Sequence, residues 1–130
     1  MTTVLVVEDS MPTRKMMSKL LSKEGLNVET AIDGVQALEI IPSLRPDLVL
    51  LDIVMPKMNG YEVCRKIKSN PKTKNVPVVI CSAKSEDFDR YWGIKQGADA
   101  YIAKPFEDKE LIATIKQFLK QIKKAKKANK

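Results

Sequence analysis

Four short segments of this chain carry side chains suited to phosphoryl and metal chemistry: Glu8-Asp9, Asp52, Ser82 and Lys104-Pro105. Each lies at, or directly after, the end of a short apolar run. If those runs are parallel strands of one sheet, the segments meet at one sheet edge and place three carboxylates, a hydroxyl and an ammonium together. Carboxylates that close repel one another unless a cation lies among them. The pattern therefore predicts a site for Mg²⁺ and a phosphoryl group.

The elements that must position this site are alternating apolar runs and helical patterns. The runs at residues 4–7, 48–51, 78–81 and 101–103, with an edge strand at Asn27–Ala31, predict five parallel strands. Five intervening helical patterns predict an α/β fold: a flavodoxin-like, doubly wound sheet of order 2-1-3-4-5. We expect the second helix to end near Ile41 because Pro42 follows, and the last helix to end near Lys123.

Composition limits the classes of protein that the chain can represent. With 130 residues, 44% hydrophobic and 30% charged, it suits one domain. No apolar run approaches a membrane span and no signal peptide is recognisable, so we expect a cytoplasmic protein. The absence of histidine excludes a Ser-His-Asp triad and a His-ligated zinc site. Cys64 and Cys81 show no metal or redox spacing and are interpreted as buried thiols.

The positive charge is concentrated at the C-terminus. The net charge is +7, yet residues 1–115 hold equal numbers of basic and acidic side chains, whereas residues 116–130 hold seven lysines and no acid. We therefore divide the chain into a domain at residues 1–122 and a basic tail at residues 123–130. The simplest interpretation of the tail is a solvated helix end. Contact with an acidic partner or nucleic acid is the alternative.

Four motifs in order give the sequence a family resemblance. They are Val-Glu-Asp-Ser at 7–10, Leu-Asp-Ile-Val-Met-Pro-Lys-Met-Asn-Gly at 51–60, Cys-Ser-Ala-Lys at 81–84, and Gly-Ala-Asp-Ala-Tyr-Ile-Ala-Lys-Pro-Phe at 97–106. The chain resembles a response regulator receiver domain of the CheY-like, stand-alone type, over residues 3–122. The stretch at 92–98 is similar to receivers of type IV pilus and phototaxis systems.

The resemblance assigns the nucleophile and the metal ligands. Asp52 would be the phosphoacceptor, because a carboxylate can attack phosphorus and form an acyl phosphate. Asp9 would bind Mg²⁺ directly and Glu8 directly or through water. Asp52 and the backbone carbonyl of Val54 would complete the protein's ligands to the metal.

The resemblance also assigns the groups that hold and sense the phosphoryl group. Lys104 would supply a cation to it, after pairing with Asp52 in the unphosphorylated state. Ser82 and the backbone N–H of Ala83 would donate hydrogen bonds. The Lys104-Pro105 bond would be cis. Ser82, Tyr101 and Pro105 form the expected switch, in which Ser82 moves inward on phosphorylation and Tyr101 turns into the vacated space.

The function implied is that of a single-domain response regulator, phosphorylated by a histidine kinase in a two-component system of the motility or taxis type. We expect its output to be binding of a separate protein through the face of the fourth helix, fifth strand and fifth helix. We expect a monomer with no DNA-binding domain and no membrane insertion. We expect no enzymatic activity beyond its own phosphoryl transfer and autodephosphorylation.

Three other functions share parts of this pattern. A phosphorelay intermediate would share all these features. An Mg²⁺-dependent phosphatase with an aspartate nucleophile needs an acid two residues after Asp52, where this chain has Val54. A flavodoxin-type FMN protein needs a phosphate-binding loop after the first strand, where Glu8 and Asp9 would repel a phosphate without a metal.

Overall fold

The computed structural model describes residues 2–84 and 86–128 of the chain. Within this range, five strands alternate with five helices. In chain order they are β1 (Thr3–Val7), α1 (Met11–Ser22), β2 (Asn27–Ala31), α2 (Gly34–Leu44), β3 (Leu48–Leu51), α3 (Gly60–Ser69), β4 (Val78–Ser82), α4 (Asp87–Lys95), β5 (Ala100–Ala103) and α5 (Asp108–Ala128).

The strands form one parallel sheet of order β2-β1-β3-β4-β5, which confirms the predicted fold. The register aligns Val7 with Ala31 on one side and with Leu51 on the other. The two central strands β1 and β3 therefore end at the same level. The residues that follow them, Glu8 and Asp52, emerge side by side at the carboxyl edge of the sheet.

Alternation along the strands divides the core into two layers. On β1, Leu5 and Val7 face a cluster completed by α2 and α3, whereas Val4 and Val6 face a cluster completed by α1 and α5. All four residues of β3 are buried, because helices cover both faces of a parallel sheet. The site at the strand ends thus stands on a core packed from both sides.

Helix ends show where sequence rules hold and where tertiary packing overrides them. Asp33 caps α2 by accepting from the Gln36 N–H at 2.8 Å, and Asn59 caps α3 by accepting from the Glu62 N–H at 3.0 Å. The expected end of α2 before Pro42 is wrong, because the helix continues to Leu44. Proline lacks one N–H donor, but buried Ile41 holds the last turn and accepts from the Arg45 N–H at 2.8 Å.

Helix α5 is longer than expected. It was predicted to end near Lys123 and extends to Ala128, which carries it through the assigned boundary between domain and tail. That boundary stays a prediction. Across the described residues, no helix has both the length and the apolar character that crossing a bilayer requires.

The two cysteines are buried free thiols, as predicted, and they lie on opposite faces of the sheet. Burial raises the pKa of Cys64 to about 11 and that of Cys81 to about 12. Since the thiolate is the nucleophile, both side chains should stay unreactive in the folded protein.

We therefore predict that iodoacetamide at about pH 8 adds no mass to the native protein, because both thiols remain protonated and covered. The same treatment in guanidinium chloride should add two carbamidomethyl groups, measured by intact-mass spectrometry. Rapid native labelling of either cysteine would contradict the burial described.

Candidate functional site

Three carboxylates converge at the carboxyl edge of the sheet. Glu8 and Asp9 follow β1 and Asp52 follows β3, and one oxygen from each lies within 4.8 Å of the others. Glu8 is buried and Asp52 nearly so, whereas Asp9 faces solvent. The sequence-based expectation that the three acidic groups meet is confirmed. Their chemistry, three hard anionic oxygen donors, is that of a divalent-cation site.

Lys104 supplies the compensating positive charge. Its Nζ lies 2.5 Å from Glu8 Oε1 and 3.7 Å from Asp52 Oδ2. Sequence reasoning paired Lys104 with Asp52, but the shorter contact is with Glu8. The physical reason is burial, since the Glu8 side chain is only 2% exposed and would be left as an uncompensated charge without the ammonium.

The pKa shifts reflect competition between burial and charge. Burial is the largest influence on Glu8 and raises its pKa, and the Asp52 charge adds to this. The hydrogen bonds from Lys104 and the Ser10 N–H act in the opposite direction without cancelling the rise. Burial alone would lower the pKa of Lys104, but the hydrogen bond to Glu8 and the Asp52 charge outweigh it and leave that pKa raised. Lys104 is therefore held as a cation.

A tight loop fixes the direction of the Asp52 carboxylate. Oδ1 accepts from the Ile53 N–H at 2.7 Å, which leaves Oδ2 facing Lys104. The Gly60 N–H donates to the Ile53 carbonyl at 2.9 Å and closes the loop. A Cβ at Gly60 would lie 2.8 Å from Ile53 Cα and 2.9 Å from the Asp52 carbonyl carbon, so only glycine permits this approach.

The backbone of Lys84 connects Ser82 to Tyr101. Ser82, fully buried at the end of β4, accepts from the Lys84 N–H at 3.3 Å through its Oγ. The Tyr101 hydroxyl donates to the Lys84 carbonyl. The Tyr101 ring packs against Gly93, where a Cβ would be 3.1 Å from Cδ2. Tyr101 is half-buried, and burial raises the pKa of its hydroxyl. Its part in the expected switch stays a prediction.

The remaining expected site residues lie around the cluster. The Lys104-Pro105 bond is cis, as expected. Ala83 and Lys104 line a cavity of about 380 Å³ between α1 and the segment after β5. The Val54 side chain is largely exposed in the loop after Asp52. The roles assigned to Ala83, Val54 and Pro105 stay predictions.

Sequence reasoning missed two supports of the site. Arg14 Nη1 donates to the Glu8 carbonyl at 2.9 Å and reaches the Asp9 carbonyl at 3.4 Å, so α1 holds the acidic turn through its backbone. Lys57 Nζ lies 3.5 Å from Asp33 Oδ2 and links the Asp52 loop to the start of α2. Neither contact could be predicted, because a bond to a main-chain oxygen or an ion pair between two loops requires no recognisable sequence motif.

Comparison with known proteins identifies the family. The sequence profile described as response regulator receiver domain matches residues 4–116. The DNA-binding response regulator MtrA of Mycolicibacterium paratuberculosis is 42% identical over 118 residues, which are 91% of this chain and 51% of MtrA. The transcriptional regulatory protein CpxR homolog of Haemophilus influenzae is 44% identical over 121 residues, 93% of this chain and 52% of the homolog. The chain thus spans about half the length of the curated relatives it matches.

Solved structures agree with the fold. The chemotaxis protein CheY4 of Vibrio cholerae superposes with a TM-score of 0.86 at 31% identity, covering 91% of this chain and 98% of CheY4. The receiver domain of a signal transduction histidine kinase from Syntrophus aciditrophicus has a TM-score of 0.89 at 32% identity, covering 95% and 93%.

These relatives correct the expectations about partners. We expected a monomer with no DNA-binding domain whose output is a separate protein bound through α4, β5 and α5. That expectation is wrong: the curated relatives are named as DNA-binding and transcriptional regulators. Nothing in the comparisons singles out a pilus or phototaxis system.

Three independent observations now agree: the order of the four motifs, the parallel sheet of order β2-β1-β3-β4-β5, and the acidic cluster with its lysine. Together with the matching profile over residues 4–116, they show that this chain belongs to the response regulator receiver domain family of two-component systems.

Proposed function

We propose that this receiver accepts a phosphoryl group on Asp52 from a histidine kinase and that Mg²⁺ assists the transfer. The observation that carries the proposal is the arrangement of Glu8, Asp9 and Asp52 around one point with the Lys104 ammonium beside them. A nucleophilic carboxylate, a cation on a long mobile stem and spare anionic oxygens are the parts that phosphoryl transfer needs.

The transfer follows from the geometry of Asp52. A carboxylate oxygen of Asp52 attacks phosphorus, an O–P bond forms, and the P–N bond of the donor phosphohistidine breaks. The imidazole leaves with the bonding electrons and takes a proton from water. Oδ2, which faces Lys104, is the better-placed nucleophile, because Oδ1 is engaged by the Ile53 N–H. Lys104 can then leave Glu8 and pair with a phosphoryl oxygen.

The donor set fits Mg²⁺. Asp9, Glu8 and Asp52 offer carboxylate oxygens, and the Val54 carbonyl is the proposed fourth protein ligand. When bound, the metal would neutralise charge on the transferring phosphoryl oxygens. Asp9 is the most accessible of the three acidic groups, so it is the ligand that an entering ion meets first.

The switch is proposed to act through Lys84. The Lys84 N–H bonds Ser82 and the Lys84 carbonyl accepts from Tyr101, so a shift of Ser82 toward a phosphoryl group pulls the backbone that Tyr101 holds. Arg90 lies 5.5 Å from the centroid of the Tyr101 ring and would report this movement to the surface of α4. A short chain of bonds thus couples the site to a surface.

Phosphoramidate with Mg²⁺ should add one phosphoryl group to the wild-type protein and none to Asp52→Asn, because the amide lacks a nucleophilic oxygen anion. Intact-mass spectrometry measures the addition. Asp89→Asn, which changes an acid in the first turn of α4, is the matched control and should be labelled like wild type. Equal labelling of Asp52→Asn would reject the assignment.

Gly60→Ala should weaken Mg²⁺ binding by about tenfold or more, because the new Cβ displaces the backbone of Asp52 and Ile53 that orients the ligands. Gly25→Ala is the control: its φ of +82° makes alanine unfavourable by about 1 kcal/mol, but the position lies far from the site. Calorimetric titration compares the two. Equal Mg²⁺ affinities would show that the loop approach is unimportant.

Lys104→Met should lower the free energy of unfolding by about 3 kcal/mol without Mg²⁺, because it leaves buried Glu8 beside Asp52 with no cation. Adding Glu8→Gln should restore part of the loss. Lys116→Met breaks the exposed pair with Glu24 and should cost less than about 1 kcal/mol. Urea unfolding at neutral pH measures the free energy of unfolding of all three variants. Similar decreases in Lys104→Met and Lys116→Met would contradict the view that Lys104 compensates the buried charge of Glu8.

A further inference from the structure

The end of the molecule opposite the acidic site carries dense positive charge. From Lys116 onward the sequence holds seven lysines and no acidic side chain. Helix α5 runs to Ala128, yet Leu119 is the last of its described side chains to be buried. Lys120, Lys123 and Lys124 are exposed, so α5 carries three positive charges beyond its last buried residue.

Among the described side chains from Lys116 onward, only one of the four lysines forms an ion pair. Lys116 pairs with Glu24 at 2.6 Å, but within residues 2–84 and 86–124 no carboxylate lies at ion-pair distance from Lys120, Lys123 or Lys124. Unpaired like charges on neighbouring helix turns repel one another and lower the stability of the helix end. Their concentration therefore suits a partner that supplies negative charge.

The fold places two further basic side chains next to this part of α5. Ile122 of α5 lines a cavity of about 220 Å³ together with Arg45, from the end of α2, and Lys72, from the segment before β4. Asp47 also lines the cavity, and its Oδ2 accepts a hydrogen bond from the Thr3 N–H at 2.8 Å. We call Arg45, Lys72, Lys120, Lys123 and Lys124 the basic end; three more lysines follow them in the sequence.

The chemistry of the basic end favours a nucleic-acid backbone over a membrane. Beyond Ile122 the sequence contains no apolar side chain larger than alanine, so the helix end has nothing to insert into lipid. The sequence beyond Ile122 also has no arginine for bidentate reading of guanine and no aromatic ring for stacking on bases. What it offers is a set of mobile point charges, and duplex DNA offers one phosphate charge about every 1.7 Å along its axis.

We propose that the basic end binds duplex nucleic acid through its phosphates, without regard to sequence. The surface lies at the opposite edge of the sheet from Asp52 and uses none of the residues assigned to phosphoryl transfer. The binding is therefore independent of the proposed function above. Its strength depends on salt, because each lysine that contacts a phosphate releases a condensed counterion.

The test is fluorescence anisotropy of a labelled mixed-sequence duplex titrated with the full chain between about 50 and 200 mM salt. Wild type should bind with a slope of log affinity against log salt of about −4, as expected for four or five phosphate contacts. Replacing Lys120, Lys123, Lys124 and Lys127 by glutamine should weaken binding more than about tenfold and reduce the slope by about 3. Circular dichroism verifies that each variant is folded.

A matched control removes the same charge elsewhere. Glutamine at Lys15, Lys19, Lys66 and Lys109, four exposed lysines outside the basic end as defined, gives the same net charge and should change affinity less than about threefold. Equal losses in the two variants would overturn the proposal, since total charge alone would then explain binding. Labelled polyglutamate that binds as tightly as the duplex would overturn the choice of nucleic acid over an acidic protein. Absence of binding at the lowest salt would overturn both.

Discussion

The repulsion among three carboxylates is the constraint on which this structure depends. Parallel pairing of β1 with β3 ends both strands at one level, so Glu8, Asp9 and Asp52 must share a small volume. Such a cluster is unfavourable without a cation. In the state described, the Lys104 ammonium fills that role by contacting Glu8 and Asp52. The same residues can therefore hold either a lysine or, as proposed, a divalent ion with a phosphoryl group.

The surrounding fold keeps this strained arrangement in place. The two core clusters pack against both faces of the sheet. The loops of the site are each fixed by a separate contact, made by Arg14, by Gly60 and by the Asp33–Lys57 pair. Lys104 follows β5, and its own N–H donates to the Ser82 carbonyl at 2.9 Å, so the cation is tied to the strand that carries the hydroxyl. The repulsion among the carboxylates is thus offset by favourable packing elsewhere in the fold, as is common at functional sites.

Much of this could be predicted from the sequence because it depends on local patterns. Continuous apolar runs predicted β3, and polar residues at the ends of runs predicted Glu8, Asp9 and Asp52 as neighbours. The extension of α2 past Pro42 could not be predicted, since it depends on the burial of Ile41. The closer contact of Lys104 with Glu8 than with Asp52 could not be predicted either, because it follows from the deeper burial of the Glu8 side chain. The prediction about partners was wrong, because the sequence features of a receiver domain do not specify what its output is.

Calorimetric titration of Mg²⁺ tests the central claim most directly, namely that oxygens from β1 and β3 share one cation. We expect one Mg²⁺ per chain in the wild-type protein, loss of that binding in both Asp9→Asn and Asp52→Asn, and no change in Asp87→Asn, which alters an exposed acid on α4. Undiminished Mg²⁺ binding in Asp9→Asn and Asp52→Asn, or no binding by the wild-type chain at millimolar concentration, would contradict it.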